Sequence, residues 1–243
     1  MAKQKGLVPL EGTLKGINFY YRKGVPIARA AGGGFTRSAI KHSPTMERVR
    51  ESNTEFAGCS KINKVFKQAL APFLKGHKDG TLHSRLMSLF LGIKNLDRIS
   101  GPGKRQVALG IETLEGVRLF NDFTVTPERP RLLACQYGLD WNEGMFFIEG
   151  IDSGVFMKGC DVIVLSVGLV RFDFDSLAFE QVFADPLLVR RSADALDYRI
   201  ALPALAYGTG EVFGVGQVQF YQEIDGALYG MRKGFGVELF MEV

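Results

Sequence analysis

Residues 43–98, SPTMERVRESNTEFAGCSKINKVFKQALAPFLKGHKDGTLHSRLMSLFLGIKNLDR, decide how the rest of the chain is read. Apolar side chains fall at Ile62, Val65, Phe66, Ala69, Leu70, Phe73 and Leu74. That i, i+3, i+4, i+7 spacing lays one stripe along a helix of 3.6 residues per turn. A second series runs through Leu82, Leu86, Leu89, Phe90 and Ile93. The join Gly76-His77-Lys78-Asp79-Gly80 is short and polar, which predicts two antiparallel helices with their stripes turned to a shared neighbour. Ser43-Pro44 makes a good start, because serine caps free N–H groups and proline suits the first helical position. Glu47 adds a negative charge in the positive first turn. Gly58-Cys59-Ser60 interrupts the pattern and predicts a kink, with Ser60 capping a new start. Lys61, Lys64, Lys67 and Lys75 lie off the stripe, on the outer face.

Downstream, Ser100-Gly101-Pro102-Gly103 ends the helical pattern, since two glycines around a proline do not continue a helix. This places a boundary between a region 1–103 and a region 104–243. Beyond it, short β-branched and aromatic runs alternate with turn residues: 106–111, 116–120, 131–137, 145–149, 161–174, 178–183, 198–202, 211–221 and 236–243. Val162 to Val170 is apolar on both faces and reads as a central strand. Arg171-Phe172-Asp173-Phe174-Asp175 alternates and continues it toward an exposed edge, with both aspartates on one face. The final run to Val243 reads as an edge strand, and edges recruit other chains unless protected. The expected fold is α+β: an N-terminal β-hairpin and a helical hairpin followed by an antiparallel, jelly-roll-like β-sandwich.

Upstream, residues 7–30 read as a hairpin or small three-stranded unit. Leu14, Ile17, Phe19 and Tyr21 precede a turn at Arg22-Lys23-Gly24, and Val25, Ile27 and Ala28 return, with Pro26 arguing for an edge position. Ala31-Gly32-Gly33-Gly34 is a hinge or tight loop. It lacks the lysine and hydroxyl residue that a phosphate-binding loop places after its glycines.

A chain of 243 residues with 46% hydrophobic and 23% charged residues is built to fold. Its net charge of +4 conceals an asymmetry. Residues 1–105 hold 20 Lys+Arg and 6 Asp+Glu, a balance of +14; the remainder holds 10 and 20, a balance of −10. Opposite charges of this size are met either within one molecule or between copies. Cys59, Cys135 and Cys160 show no metal spacing and read as buried thiols of a reducing compartment. The start has no apolar run behind its charges, and no stretch is long enough to span a bilayer. The expectation is a cytoplasmic protein without membrane insertion, released by lysis or an unconventional route if at all.

Chemistry-bearing patterns are sparse. His42, His77 and His83 have no nucleophile signature beside them. Asp173 and Asp175 are two oxygens-bearing positions of a calcium site whose other ligands do not appear. Asp140-Trp141-Asn142-Glu143 reads as a β-turn, with a sugar-stacking platform as its functional alternative. No catalytic residue, cofactor or metal ligand is assigned. Phe19-Tyr20-Tyr21-Arg22-Lys23 interleaves aromatics with bases, as single-stranded nucleic-acid binders do; the same residues suit an aromatic hairpin that docks on a neighbour.

Lys3-Gln4-Lys5-Gly6, Leu10, Gly12-Thr13, Ile17, Phe19-Tyr20, Gly24, Ala28-Arg29 and Gly32-Gly33, with Val218, Phe220-Tyr221-Gln222, Gly226, Tyr229 and Arg232-Lys233-Gly234 near the other end, carry a resemblance. The chain resembles a large family of bacterial proteins, associated with Bacteroidota, that has no assigned activity. The resemblance implies a hairpin, a helical segment and a β-rich half, and carries over no catalytic residue. Phe220-Tyr221 also echoes Phe19-Tyr20, each pair preceding a turn, so the two hairpins are candidates to pair within a subunit or between neighbours. The functional expectation is a non-enzymatic, self-assembling structural subunit of a filament, tube or virion-like particle. Its interface residues are Phe19, Tyr20, Tyr21, Arg22, Lys23, Lys61, Lys64, Asp173, Asp175 and Phe240. Nucleic-acid binding by the basic half and a carbohydrate-binding sandwich are the alternatives.

Overall fold

A computed structural model describes residues 2–4, 10–32, 36–193 and 197–242. Lys5 and Gly6 of the N-terminal motif, residues 7–9 of the first hairpin, the hinge glycines Gly33 and Gly34, and Val243 lie outside the described residues. The protein is mixed α+β with antiparallel sheets, and its chain divides into two compact units, 1–53 and 54–243.

The first unit holds a four-stranded antiparallel sheet in the order β1-β4-β3-β2, made of β1 (Ala2–Lys3), β2 (Gly12–Leu14), β3 (Ile17–Arg22) and β4 (Val25–Ala30). β4 is therefore an inner strand, not the edge expected from Pro26. The proline is tolerated because the β1 ladder covers Ala28 and Ile27, and beyond it Pro26 takes part only as an acceptor, its carbonyl receiving the Gln4 N–H at 3.1 Å. A short helix α1 (Arg37–His42) follows, with the Thr36 side chain accepting from the Ala39 N–H at 3.1 Å. Pro44–Met46 form one 3-10 turn.

The helical hairpin forms as α2 (Glu47–Leu70) and α3 (Leu82–Lys94). They run antiparallel, as the pairings Glu55 with Lys94 and Asn63 with His83 show. The expected kink at Gly58 is absent: α2 continues through it, and Ser60 caps nothing. A lone glycine costs about 1 kcal/mol in a helix, and the buried face of a helix this long outweighs that. Thr81 and Arg85 gather around the Asp79 carboxylate, and Arg85 also donates to the carbonyls of Thr124 and Val125, which fixes the hairpin turn.

Two segments expected as strands are helices: α4 (Val107–Ile111) and α5 (Leu114–Asn121). Val107 and Ile111, then Val117 and Phe120, face the core at helical spacing, and the Thr113 side chain caps α5 through the Gly116 N–H at 3.0 Å. Gly110 lies so close to α3 that a Cβ there would sit 2.0 Å from the Ile93 carbonyl oxygen.

Among the described residues, eight strands complete the second unit: β5 (Gln136–Asp140), β6 (Met145–Glu149), β7 (Val162–Phe172), β8 (Phe179–Phe183), β9 (Leu187–Arg190), β10 (Tyr198–Ala201), β11 (Glu211–Ile224) and β12 (Ala227–Met241). They make a three-stranded sheet, β10-β6-β5, and a five-stranded one, β12-β11-β7, in which both β8 and β9 pair with the far side of β7. β7 is central, as its two apolar faces predict.

The period of two along β7, β11 and β12 explains the layering. Val170, Phe172, Phe213, Val215, Val237 and Leu239 point to one face and share a core with the helices. Ile163, Leu165, Val167, Val218 and Phe220 point to the other face and pack with Phe146 and Ile148 of the small sheet. Phe66 of α2 is the hub of the first core. Its ring lies 5.3 Å from Phe90, 5.9 Å from Phe120, 5.3 Å from Phe172 and 5.4 Å from Phe213. The stripe on the hairpin thus finds its neighbour in the sheet, and one core spans the turn at 101–103. Gly168 permits the approach: a Cβ there would stand 2.4 Å from the Val182 carbonyl oxygen and 2.9 Å from the Phe73 ring.

Candidate assembly surfaces

The N-terminal sheet divides the motif Phe19-Tyr20-Tyr21-Arg22-Lys23 between its two faces. Residues directly opposite across antiparallel strands share a face, and the pairings are Leu14 with Ile17, Ile17 with Ala30, Phe19 with Ala28 and Tyr21 with Pro26. One face therefore presents Leu14, Ile17, Phe19, Tyr21, Pro26, Ala28 and Ala30, apolar but for one phenol. Leu14 is 58% exposed, Tyr21 46% and Ile17 43%. The other face carries Thr13, Asn18, Tyr20, Arg22, Ile27 and Arg29, with the Arg29 guanidinium 5.6 Å from the Tyr20 ring centre. Ile27 is the one buried hydrophobic residue among the described residues of this unit.

Both turns of this sheet are basic. Lys15-Gly16 and Lys23-Gly24 each place two successive residues at positive φ, 44° and 79° in one and 51° and 76° in the other. Those are the tight two-residue turns that suit the twist of a hairpin. Arg22 and Lys23 are exposed beside the apolar face.

Lys61 and Lys64 are exposed on α2, as their position off the stripe predicts. Asp173 corrects the strand reading. β7 ends at Phe172, and the Asp173 carboxylate accepts from the N–H groups of Asp175 at 2.9 Å and Ser176 at 3.0 Å and from the Thr209 hydroxyl at 2.9 Å. Those bonds, that of Ser176 foremost, hold its acidity at about 2. Asp173 and Asp175 thus belong to a turn, not to one strand face. The structure does bring Lys61 and Asp175 together, on the wall of a cleft of about 370 Å³ that Glu55, Cys59 and Arg105 also line. Phe240 is turned inward, its ring 5.8 Å from Phe146 and 6.4 Å from Tyr137 between the two sheets.

Beneath that cleft lies a feature periodicity does not reveal, a buried ion pair between Lys94 and Glu55, 7% and 8% exposed. Burial pushes the Glu55 carboxyl up, but Lys94 and the Gly103 N–H at 2.8 Å outweigh it and hold the carboxyl below its usual value. Cys59 and Cys160 are buried free thiols as expected, while Cys135 is only half-buried; burial raises all three, which leaves them poorly nucleophilic.

The margin of the five-stranded sheet is the final strand, as the sequence predicts. β12 is an edge, yet its terminal half is covered. The Thr126 hydroxyl accepts from the Val237 N–H at 2.9 Å, and the Asn121 side chain both accepts from the Met241 N–H at 2.8 Å and donates to its carbonyl at 3.1 Å. Side chains of a loop and a helix end stand in for a neighbouring strand there. The opposite end of the same ribbon, where β11 turns into β12, is different. Ile224, Leu228 and Tyr229 are 47%, 39% and 58% exposed around an Asp225-Gly226 turn with φ of 50° and 78°. Phe220, the sequence echo of Phe19, is fully buried, with the Arg129 guanidinium 4.2 Å from its ring centre.

Other chemistry stays dispersed. His42 ends α1, His77 stacks on Phe235 at 4.7 Å, and the His83 carbonyl accepts from Asn63. Asp140-Trp141-Asn142-Glu143 forms the β5–β6 turn, its Asp140 carboxylate accepting from the N–H groups of Asn142 and Glu143 at 3.0 Å each. Among the described residues, no three His, Cys, Asp or Glu side chains converge as metal ligands, and no helix is long and apolar enough to cross a membrane. No protein-family model, curated protein or solved structure matches the chain.

Proposed function

We propose that the protein is a non-enzymatic structural subunit that assembles with copies of itself through its N-terminal sheet. The observation that carries this reading is the apolar face of Leu14, Ile17 and Tyr21, left open to solvent around a half-buried Phe19 and beside two basic turns. A sheet with one buried hydrophobic residue lacks a core of its own, and contiguous exposed apolar surface marks an interaction site. Charge supports it as well. Residues 1–53 contain 10 Lys+Arg and 3 Asp+Glu, a balance of +7, while residues 106–243 carry −10. Within the second unit, each ion pair between described residues joins partners from the same side of residue 105: Arg85 with Asp79 and Lys94 with Glu55 before it, and Arg171 with Glu180, Arg190 with Glu223 and Arg199 with Glu149 after it. The imbalance is not discharged by direct pairing there, and it remains available to another copy.

In this reading the second unit is a jelly-roll-like sandwich backed by helices, a rigid body suited to a repeating particle, and the bacterial family it resembles would share that role. Sedimentation velocity over a range of protein concentrations tests it. Species growing with concentration are expected; a monomer at every concentration would refute it.

The opposite face of the same sheet favours a second reading. Arg22, Arg29 and Tyr20 combine positive charge with an aromatic ring, which suits single-stranded nucleic acid. A gel shift whose affinity falls steeply with salt would support it, and no shift at low salt would remove it.

A further inference from the structure

We infer that the surface receiving the N-terminal sheet is the β11–β12 hairpin tip of the next copy, residues 222–229; this rests on the assembly reading above. The tip is the counterpart of that sheet in three respects. In geometry, Asp225-Gly226 is a two-residue turn of the same kind as Lys15-Gly16 and Lys23-Gly24, with φ of 50° and 78°. In polarity, the pairings Gln222 with Tyr229 and Ile224 with Ala227 put Ile224, Ala227 and Tyr229 on one face, and Ile224 and Tyr229 are about half exposed. In charge, Asp225 places an acid at the turn itself, Glu223 behind it being paired with Arg190, against Lys15, Arg22 and Lys23 around the N-terminal turns.

Unlike its terminal half, this end of the ribbon is not covered by the Thr126 and Asn121 side chains, which act at Val237 and Met241. The apolar face of the tip seated on Leu14, Ile17 and Tyr21 would bury both patches at once, with Asp225 among the lysines. The two surfaces are unlike, so each subunit keeps one of each free after docking. Such a contact is heterologous and repeats into a ring or an open polymer. Few side chains take part on each side, fewer than the roughly 20–30 of a standard stable interface, so the contact is weak and depends on concentration and salt.

Two measurements on the full-length chain test the assignment. In sedimentation velocity, the double variant Ile224→Ser/Tyr229→Ser is expected to shift association to at least tenfold higher protein concentration with an unchanged melting temperature, and Asp225→Asn, which keeps the turn, to weaken it and flatten its salt dependence. Second, chains carrying Tyr21→Cys and chains carrying Tyr229→Cys, differently tagged and mixed under oxidation, are expected to form the mixed disulfide in excess of either homodimer. Wild-type association that survives Ile224→Ser/Tyr229→Ser, or mixed disulfide no more abundant than the homodimers, would overturn the hairpin assignment and leave the assembly reading standing. A wild type that never associates would overturn both.

Discussion

Phe66 meets four other phenylalanine rings within 6 Å and is fully buried. Phe66→Ala removes contacts to two helices and two strands together and is expected to cost about 3–5 kcal/mol in chemical denaturation. Its burial was legible, because the i, i+3, i+4 series names it without any knowledge of its partners. The ion pair under the cleft was not: Glu55 and Lys94 lie 39 residues apart, and an interior charge looks like a surface one in a sequence. Glu55→Ala strands the Lys94 charge and is expected to cost about 3–5 kcal/mol, whereas Glu55→Gln combined with Lys94→Met is expected to recover most of that loss. Asp97 is 4% exposed and accepts from the N–H groups of Ile99, Ser100 and Gln106 at 2.9 Å each. Burial raises its pKa, but these bonds prevail and bring it to about 2, below its ordinary 3.8. A depressed carboxylate stabilises the fold fully above its unfolded pKa and loses that contribution as pH falls toward the folded value. Stability should therefore decline from about pH 4 to about pH 2, and Asp97→Asn should be less stable at neutral pH with a shallower acid limb, as urea titrations across pH would show.

Among the elements, α3, β7 and the half of α2 beyond Gly58 follow from hydrophobic period alone, since each repeats it several times, whereas the continuity of α2 through Gly58 did not. α4 and α5 are short, and in Val107–Ile111 or Leu114–Asn121 one helical turn and a buried strand present the same few apolar letters. The deciding signal was Thr113, a cap placed just ahead of α5. The termination of β7 at Phe172 turned on Asp173 serving as a turn acceptor, a role that alternation does not encode. Faces were harder still: reading Phe19 to Lys23 as one patch overlooked that a strand sends neighbours to opposite sides. With the faces assigned, Leu14→Ser/Tyr21→Ser is expected to abolish association while leaving the melting temperature within experimental error, since both residues are exposed. Asn121→Ala should do the opposite. It uncovers the β12 edge at Met241, costing about 1–2 kcal/mol and promoting irreversible aggregation on heating, followed by calorimetry and light scattering.

For the whole molecule, the sequence showed that charge is unevenly distributed but not whether a single chain consumes the imbalance. Within the second unit, each ion pair between described residues joins partners from the same side of residue 105, although Lys61 and Asp175 line one cleft. The proposed assembly would use the basic turns of the first unit and Asp225 at the hairpin tip of the second. Exposed charges act over a screening length of ~10 Å at 0.1 M salt and ~3 Å at 1 M, so contacts made by them fade across that range while apolar contacts persist. The most direct test is sedimentation velocity of the wild-type chain at fixed protein concentration as salt is raised from about 0.1 M to about 1 M. Large species at low salt that shrink stepwise toward the monomer are the predicted result. A single monomeric boundary throughout, or association that strengthens as salt rises, would contradict the account.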